Sequence, residues 1–214
     1  SDDDGNASVG ARLHRTTLQL PNGDLLAVMY AWFDEDCAPA SYEPRMMKTR
    51  VFVVKSCDLG KTWETLSTVA VDAGIGTEGF GEPVMVRVER GPHEGRIICV
   101  MRTGRDLYTA YSDNDGQDWS DFKSLALPGI DVFRSREWKA QFEGKYNHID
   151  PHRRSLSGAI VDPDLTQMKN GALVLSFGVR LPAQLNWQDP TVPGNGVYAA
   201  FSLDGGDTWS HVIQ

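Results

Sequence analysis

Ser56-Cys57-Asp58-Leu59-Gly60-Lys61-Thr62-Trp63 is the stretch that decides the fold, because it recurs. Ser202-Leu203-Asp204-Gly205-Gly206-Asp207-Thr208-Trp209 repeats the form Ser-x-Asp-x-Gly-x-Thr-Trp in full, and Ser112-Asp113-Asn114-Asp115-Gly116-Gln117-Asp118-Trp119 keeps its Ser, Gly and Trp. Each octet follows a run rich in Val, Tyr, Phe and Ala, at 50–55, 107–111 and 196–201. A short carboxylate or amide that caps backbone N–H groups, followed by a Gly free to take positive φ, is what a tight hairpin turn requires. Ser56, Asp58, Gly60, Ser112, Asn114, Gly116, Ser202, Asp204 and Gly206 are therefore read as structural turn residues. Trp63, Trp119 and Trp209 are read as apolar plugs between neighbouring strands.

A second pattern lies upstream of each octet. Residues 18–30 form two strand-like runs joined at Pro21-Asn22-Gly23, and 165–177 repeat this arrangement around Asn170-Gly171. Residues 84–88 and 96–101, joined by a longer turn through Gly91 and Gly95, make the third copy. With 65–71 and 123–127 as fourth strands, every unit reads strand A, short turn, strand B, loop, strand C, octet turn, strand D. Tandem four-stranded antiparallel sheets with about 50 residues per unit are the signature of a β-propeller. The expected fold is all-β, with blades at approximately 11–72, 80–128 and 156–214 and an insertion at 129–155. Propellers close at about four to eight blades. Three blades are thus expected to be the N-terminal half of a larger ring, probed for activity only in the complete protein.

Composition excludes several classes of function. Of the 214 residues 41% are hydrophobic, and the formal net charge is −8. No apolar run approaches the roughly 20 residues of a membrane span, and a nucleic-acid partner would need an excess of Lys and Arg on one face. Cys37, Cys57 and Cys99 are odd in number and lack paired spacing, so neither a disulfide framework nor a zinc site is indicated. His148, Asp150 and His152 lie in a polar, basic loop without a third spaced ligand and are read as solvated. No metal and no cofactor are implied.

Loop length separates the two faces of such a molecule. The A–B and C–D turns are short, whereas 33–49, 72–80, 128–157 and 180–195 are long and all leave the opposite face. Long loops on a rigid scaffold concentrate binding and catalytic groups. On this face Arg15 and Glu82 begin A strands, Arg102 and Arg180 end B strands, and Asp34, Glu35 and Asp36 open the first B–C loop. Three arginines facing one axis suit a carboxylate-bearing sugar, because the planar guanidinium holds a carboxylate bidentately and keeps its charge. Trp138, Tyr146 and Trp187 lie on long loops of this face, where each can stack on a sugar ring or pack its loop down, and Trp187, beside Asn186 and Gln188, is the one assigned to sugar contact.

The octet resembles the Asp-box of bacterial neuraminidase repeats, and residues 15–63 look like the first blade of the sialidase superfamily. That resemblance implies a six-bladed propeller and retaining hydrolysis of a terminal sialic acid. It assigns Arg15, Arg102 and Arg180 to the sugar carboxylate, Asp34 or Asp36 to the acid/base role, and Glu82 to supporting a tyrosinate. The corresponding Tyr lies in a late blade and has no match in this chain. Where sialidases carry a second arginine, Trp32-Phe33 stand instead. A different Asp-box glycosidase and a non-catalytic glycan- or protein-binding propeller are the alternatives, and a sialylated or other acidic glycan is the implied partner. Substrate location implies secretion or export to the periplasm.

Overall fold

The computed structural model describes residues 11–41, 45–104, 106–128, 159–180 and 194–214. Among these, the chain forms three four-stranded antiparallel sheets, each running in simple sequence order. The first holds β1 (Arg12–Gln19), β2 (Leu25–Ala31), β3 (Arg50–Ser56) and β4 (Glu64–Ala70). The second holds β5 (Gly81–Arg87), β6 (Ile97–Arg102), β7 (Leu107–Ser112) and β8 (Lys123–Ser124), and the third β9 (Ala159–Gln167), β10 (Leu173–Arg180), β11 (Gly196–Ser202) and β12 (Ser210–Ile213). The first strands lie together, β1 beside β5 and β5 beside β9, as the inner strands of blades do around an axis. No helix among the described residues is long and apolar enough to cross a membrane.

The sheets bury their faces against one another. In β6, Ile97, Cys99 and Met101 pack with Leu26, Val28, Val51 and Val53 of the first blade. The alternate residues Ile98 and Val100 pack with Leu173, Leu175 and Phe177 of the third. This double burial explains why Ile-Ile-Cys-Val-Met is an unbroken apolar run, whereas β10 alternates buried and half-buried residues along its length. Burial pushes the Cys99 thiol up, while Cys37 and Cys57 are exposed and unbridged.

The octets are hydrogen-bonded turns of one design. The Ser56 hydroxyl donates to Asp58 Oδ1 at 2.8 Å and accepts the Gly60 N–H at 2.8 Å, while Asp58 Oδ1 accepts the Thr62 N–H at 2.9 Å. Ser112 with Asn114 and Gly116, and Ser202 with Asp204 and Gly206, repeat these bonds. Leu59 and Gly60 both have positive φ, as do Asp115 with Gly116 and Gly205 with Gly206. Such a pair turns the chain with the hand that suits a twisted hairpin. Hydrogen bonds from the Thr62 N–H and hydroxyl, joined by Ser56, hold the Asp58 carboxyl down at about 2.

Two of the three octet tryptophans, Trp119 and Trp209, join blades rather than strands within one blade. Trp119 packs into the cluster shared by the first two sheets and donates Nε1–H to the Ser67 hydroxyl of the first blade at 3.0 Å. Trp209 is buried in the cluster shared by the second and third sheets. Trp63, in the first blade, is 40% exposed, and Leu59 beside it is 78% exposed. Ser112→Ala removes a 1% exposed hydroxyl that serves two partners. It should destabilise the protein by roughly 1–3 kcal/mol, read from the midpoint of a urea titration; a cost under a few tenths would show that the turn holds without it.

Two expected element boundaries move. β1 begins at Arg12, so Arg15 lies inside the strand, and the outermost strand of the second blade is shorter than 123–127. Only Thr109↔Lys123 and Tyr108↔Ser124 pair as strand there, and the Leu125 N–H adds one bond to the Leu107 carbonyl at 2.9 Å. An outer strand has one neighbour to hold it, and only these two residues meet it in register.

Candidate active site

The three inner strands share an irregularity that builds the site. β1 loses register between Leu13 and Thr17, β5 between Gly81 and Val84, and β9 opposite Ser176 and Gly178. At each break one non-glycine residue takes positive φ: Arg15 (53°), Glu82 (43°) and Asp162 (52°). Pro83 and Pro163 follow two of them, and an edge-strand bulge is where a strand tolerates a residue without an N–H. Left-handed backbone at a bulky residue costs about 1–3 kcal/mol and clusters at functional sites. Here it aims three ionisable side chains from three blades into one region. The bulges also touch directly, because His14 Nδ1 lies 3.2 Å from the Pro83 carbonyl and must donate to it.

The charges interlock. Arg102 Nη1 lies 2.6 Å from Glu82 Oε1, and its Nη2 lies 3.0 Å from Glu78 Oε1. The other Glu82 oxygen accepts the Asp162 backbone N–H at 3.0 Å. Asp162 Oδ1 receives Arg15 Nη2 at 2.9 Å, and Arg180 Nη2 stands 3.6 Å from Oδ2. The three arginines expected on this face therefore come together, through Glu82 and Asp162. Sequence reasoning missed Asp162 and Glu78. Asp162-Pro163 echoes Glu82-Pro83 at the same place in its blade, and that echo was the available signal.

Arg102 and Glu82 also line a pocket of about 270 Å³ between the first two blades, with Arg12, Tyr30, Trp32, Met46, Thr49 and Glu78. Two loops form its wall. Thr49 pairs with the 78–80 segment through its N–H to the Glu78 carbonyl at 2.9 Å and its hydroxyl to the Phe80 carbonyl at 2.7 Å. The approach is so close at Gly79 (φ 82°) that a Cβ would stand 2.3 Å from the Thr49 carbonyl oxygen. Lys48 Nζ reaches the Ala73 and Ile75 carbonyls. Glu78 thus stands on backbone fixed from both sides.

The first B–C loop separates its two candidate acids. Asp36 receives both Nε and Nη2 of Arg50, at 2.8 and 2.5 Å, and accepts the Phe33 N–H at 2.8 Å. Burial works to raise its carboxyl, and the Arg50 and Phe33 bonds outweigh that and leave it below the ordinary carboxylate value. Arg50 in turn lies over the Phe33 ring at 4.6 Å, and Phe33 meets Phe52 edge to face. Asp36 holds the loop down. Asp34 is exposed, with no side-chain partner among the described residues. Trp187, Trp138, Tyr146 and the 129–155 segment lie outside the described residues. Among the residues that are described, no group of His, Cys, Asp or Glu is arranged to hold a metal.

Neither a protein-family model nor any curated protein sequence matches the chain. Solved structures do. The α-L-arabinanase of Penicillium chrysogenum complexed with arabinobiose matches over 94% of this chain with a TM-score of 0.59 and 20% identity. The α-L-arabinofuranosidase of Fusarium graminearum, with arabinobiose, matches over 96% at a TM-score of 0.56 and 18% identity. A Hadza microbial sialidase matches over 95% at 0.54 and 16%. The chain spans 48% of the first two of these chains and 37% of the third. By its fold, the chain is three blades of a β-propeller of the type seen in an α-L-arabinanase, an α-L-arabinofuranosidase and a sialidase.

Proposed function

We propose that the complete protein is a glycoside hydrolase that takes one terminal sugar into the pocket between the first two blades. The observation that supports this most is the pocket itself. It is concave and lined by the paired acids Glu78 and Glu82, by Arg102, and by the aromatic side chains of Tyr30 and Trp32. Its volume of about 270 Å³ lies near the lower bound of small-molecule sites, roughly 300 Å³, a size that suits a single sugar ring. Tyr30 or Trp32 would offer an apolar face to the ring, and carboxylates and guanidinium would bind its hydroxyls.

In this reading Asp34 protonates the leaving oxygen, since Asp36 is committed to Arg50. Glu82 stabilises the positive charge that develops at the anomeric carbon, held in place by Arg102 and the Asp162 N–H. By the resemblance, a tyrosine of a later blade would attack the anomeric carbon as the leaving oxygen takes its proton, through an oxocarbenium-like transition state, and water would then release the sugar from it. Retention of configuration is the outcome expected from the resemblance. Acting on a cell-surface or environmental glycan would place the enzyme outside the cell or in the periplasm.

Two sugar classes are in play, each with its own support. An exo-α-sialidase is favoured by the convergence of Arg15, Arg102 and Arg180. An enzyme of uncharged sugars is favoured by the carboxylate already lying against each of those arginines, and by the arabinobiose bound in two solved neighbours. Chromogenic α-L-arabinofuranoside and α-sialoside, offered side by side to the complete protein, separate them. Turnover of the arabinofuranoside alone is the expected result. Turnover of the sialoside would establish the sialidase reading, and saturable glycan binding with no turnover of either would replace hydrolysis with recognition.

A further inference from the structure

We infer that Asp162 decides the charge class of the sugar, by occupying the place between Arg15 and Arg180 that a substrate carboxylate would need. This rests on the pocket being a glycan site. The argument begins with position. Arg15, Glu82 and Asp162 stand at corresponding bulges of three successive inner strands, each with left-handed backbone, so the fold presents three equivalent places to the axis. The first is filled by a cation and the other two by anions.

Charge follows from that placement. Among the described residues at the axis, Arg15, Arg102 and Arg180 each already lie against a carboxylate, of Asp162, of Glu78 and Glu82, and of Asp162 in turn. An arginine already held by a carboxylate has less of its fork free for a sugar carboxylate, because each guanidinium fork is complementary to one carboxylate at a time. Asp162 takes Arg15 at 2.9 Å and stands 3.6 Å from Arg180. An acidic sugar would have to displace it against like-charge repulsion from Glu82 and Glu78. An uncharged sugar meets no such cost and can hydrogen-bond to the same oxygens. Asp162 is joined to the pocket wall as well, since its N–H holds the second oxygen of Glu82. That bond is made by backbone, so a side-chain substitution at 162 can spare it.

The consequence is a gain rather than a loss. Asp162→Asn keeps the shape and an acceptor oxygen but removes the charge, and Asp162→Ala removes both. The complete protein and each variant would be titrated with N-acetylneuraminic acid and with its methyl ester, which has the same shape without the charge, by ligand-observed NMR. The wild-type protein should bind the acid no better than the ester. Both variants should gain at least about tenfold for the acid over the ester, the gain should shrink as salt rises, and Arg15→Ala in the Asp162→Asn background should abolish it.

Asp162→Asn carries the test if the alanine variant does not fold. A wild-type protein that already prefers the acid tenfold, or an asparagine variant with unchanged preference, overturns the assignment. The measurement is independent of catalysis. If no glycoside is turned over but the asparagine variant still gains the acid, hydrolysis fails and the specificity role of Asp162 holds.

Discussion

Arg102→Ala in the complete protein should lower kcat/KM for its glycoside by at least about two to three orders of magnitude, the range seen when a preorganised charge-stabilising donor is removed. Arg102 stands between Glu78 and Glu82 and binds one with each terminal nitrogen, at 3.0 and 2.6 Å. Removing it leaves two carboxylates facing each other in a pocket wall without their shared cation. Glu82 then keeps only the Asp162 N–H to orient it, and the loss should fall mainly on kcat. The Nε of Arg102 is buried without a hydrogen-bond partner among the described residues, so its bonds to the two acids are made by the terminal nitrogens. Arg102→Lys keeps a cation but not the fork, and should recover only part of the rate. Steady-state kinetics beside a thermal melt separates catalysis from folding; an alanine variant with wild-type kcat/KM would remove Arg102 and its partners from the site.

The second large effect is on stability. Phe80 is fully buried where the loop from the first blade enters β5, and it meets Tyr108 and Phe122 edge to face at 5.7 and 5.0 Å between ring centres. Phe80→Ala should cost about 3–5 kcal/mol, from lost apolar burial plus the cavity left between two rigid sheets. Denaturant unfolding of the complete protein measures it. Because Phe80 lies between Glu78 and Glu82, a folded fraction of this variant should also show raised KM, the pocket wall having lost its anchor. A cost below about 1 kcal/mol would mean that the neighbouring rings close over the gap.

The octets, the Asn-Gly hairpins and the apolar runs made the propeller legible from sequence, because each is a local device. Whether Ser56 can bond Asp58 and Gly60 depends on a few residues of chain. The site was legible in part. Arg102 and Arg180 were singled out as candidates because they terminate strands on the face of the long loops, which topology alone fixes. Asp162 was missed because its importance arises from the positive φ of a bulge and from Arg15, 147 residues away. Neither leaves a local mark beyond the Asp-Pro pair. The same limit applies to Asp34 and Asp36, two residues apart and equivalent in sequence. Arg50, brought alongside by β3, makes one of them a clasp.

Sequence by itself determined the architecture, since strand period, turn chemistry and repeat spacing are short-range properties that every blade states independently. It also determined which strand ends share the face of the long loops. Tertiary structure alone decided the electrostatics of that face. Three arginines read as a cationic clamp are met by Glu78, Glu82 and Asp162, drawn from different blades and loops, so that each already lies against a carboxylate. The reason is physical: charge acts through space at a few ångströms, and the chain reaches those distances only by folding strands far apart in sequence around a common axis.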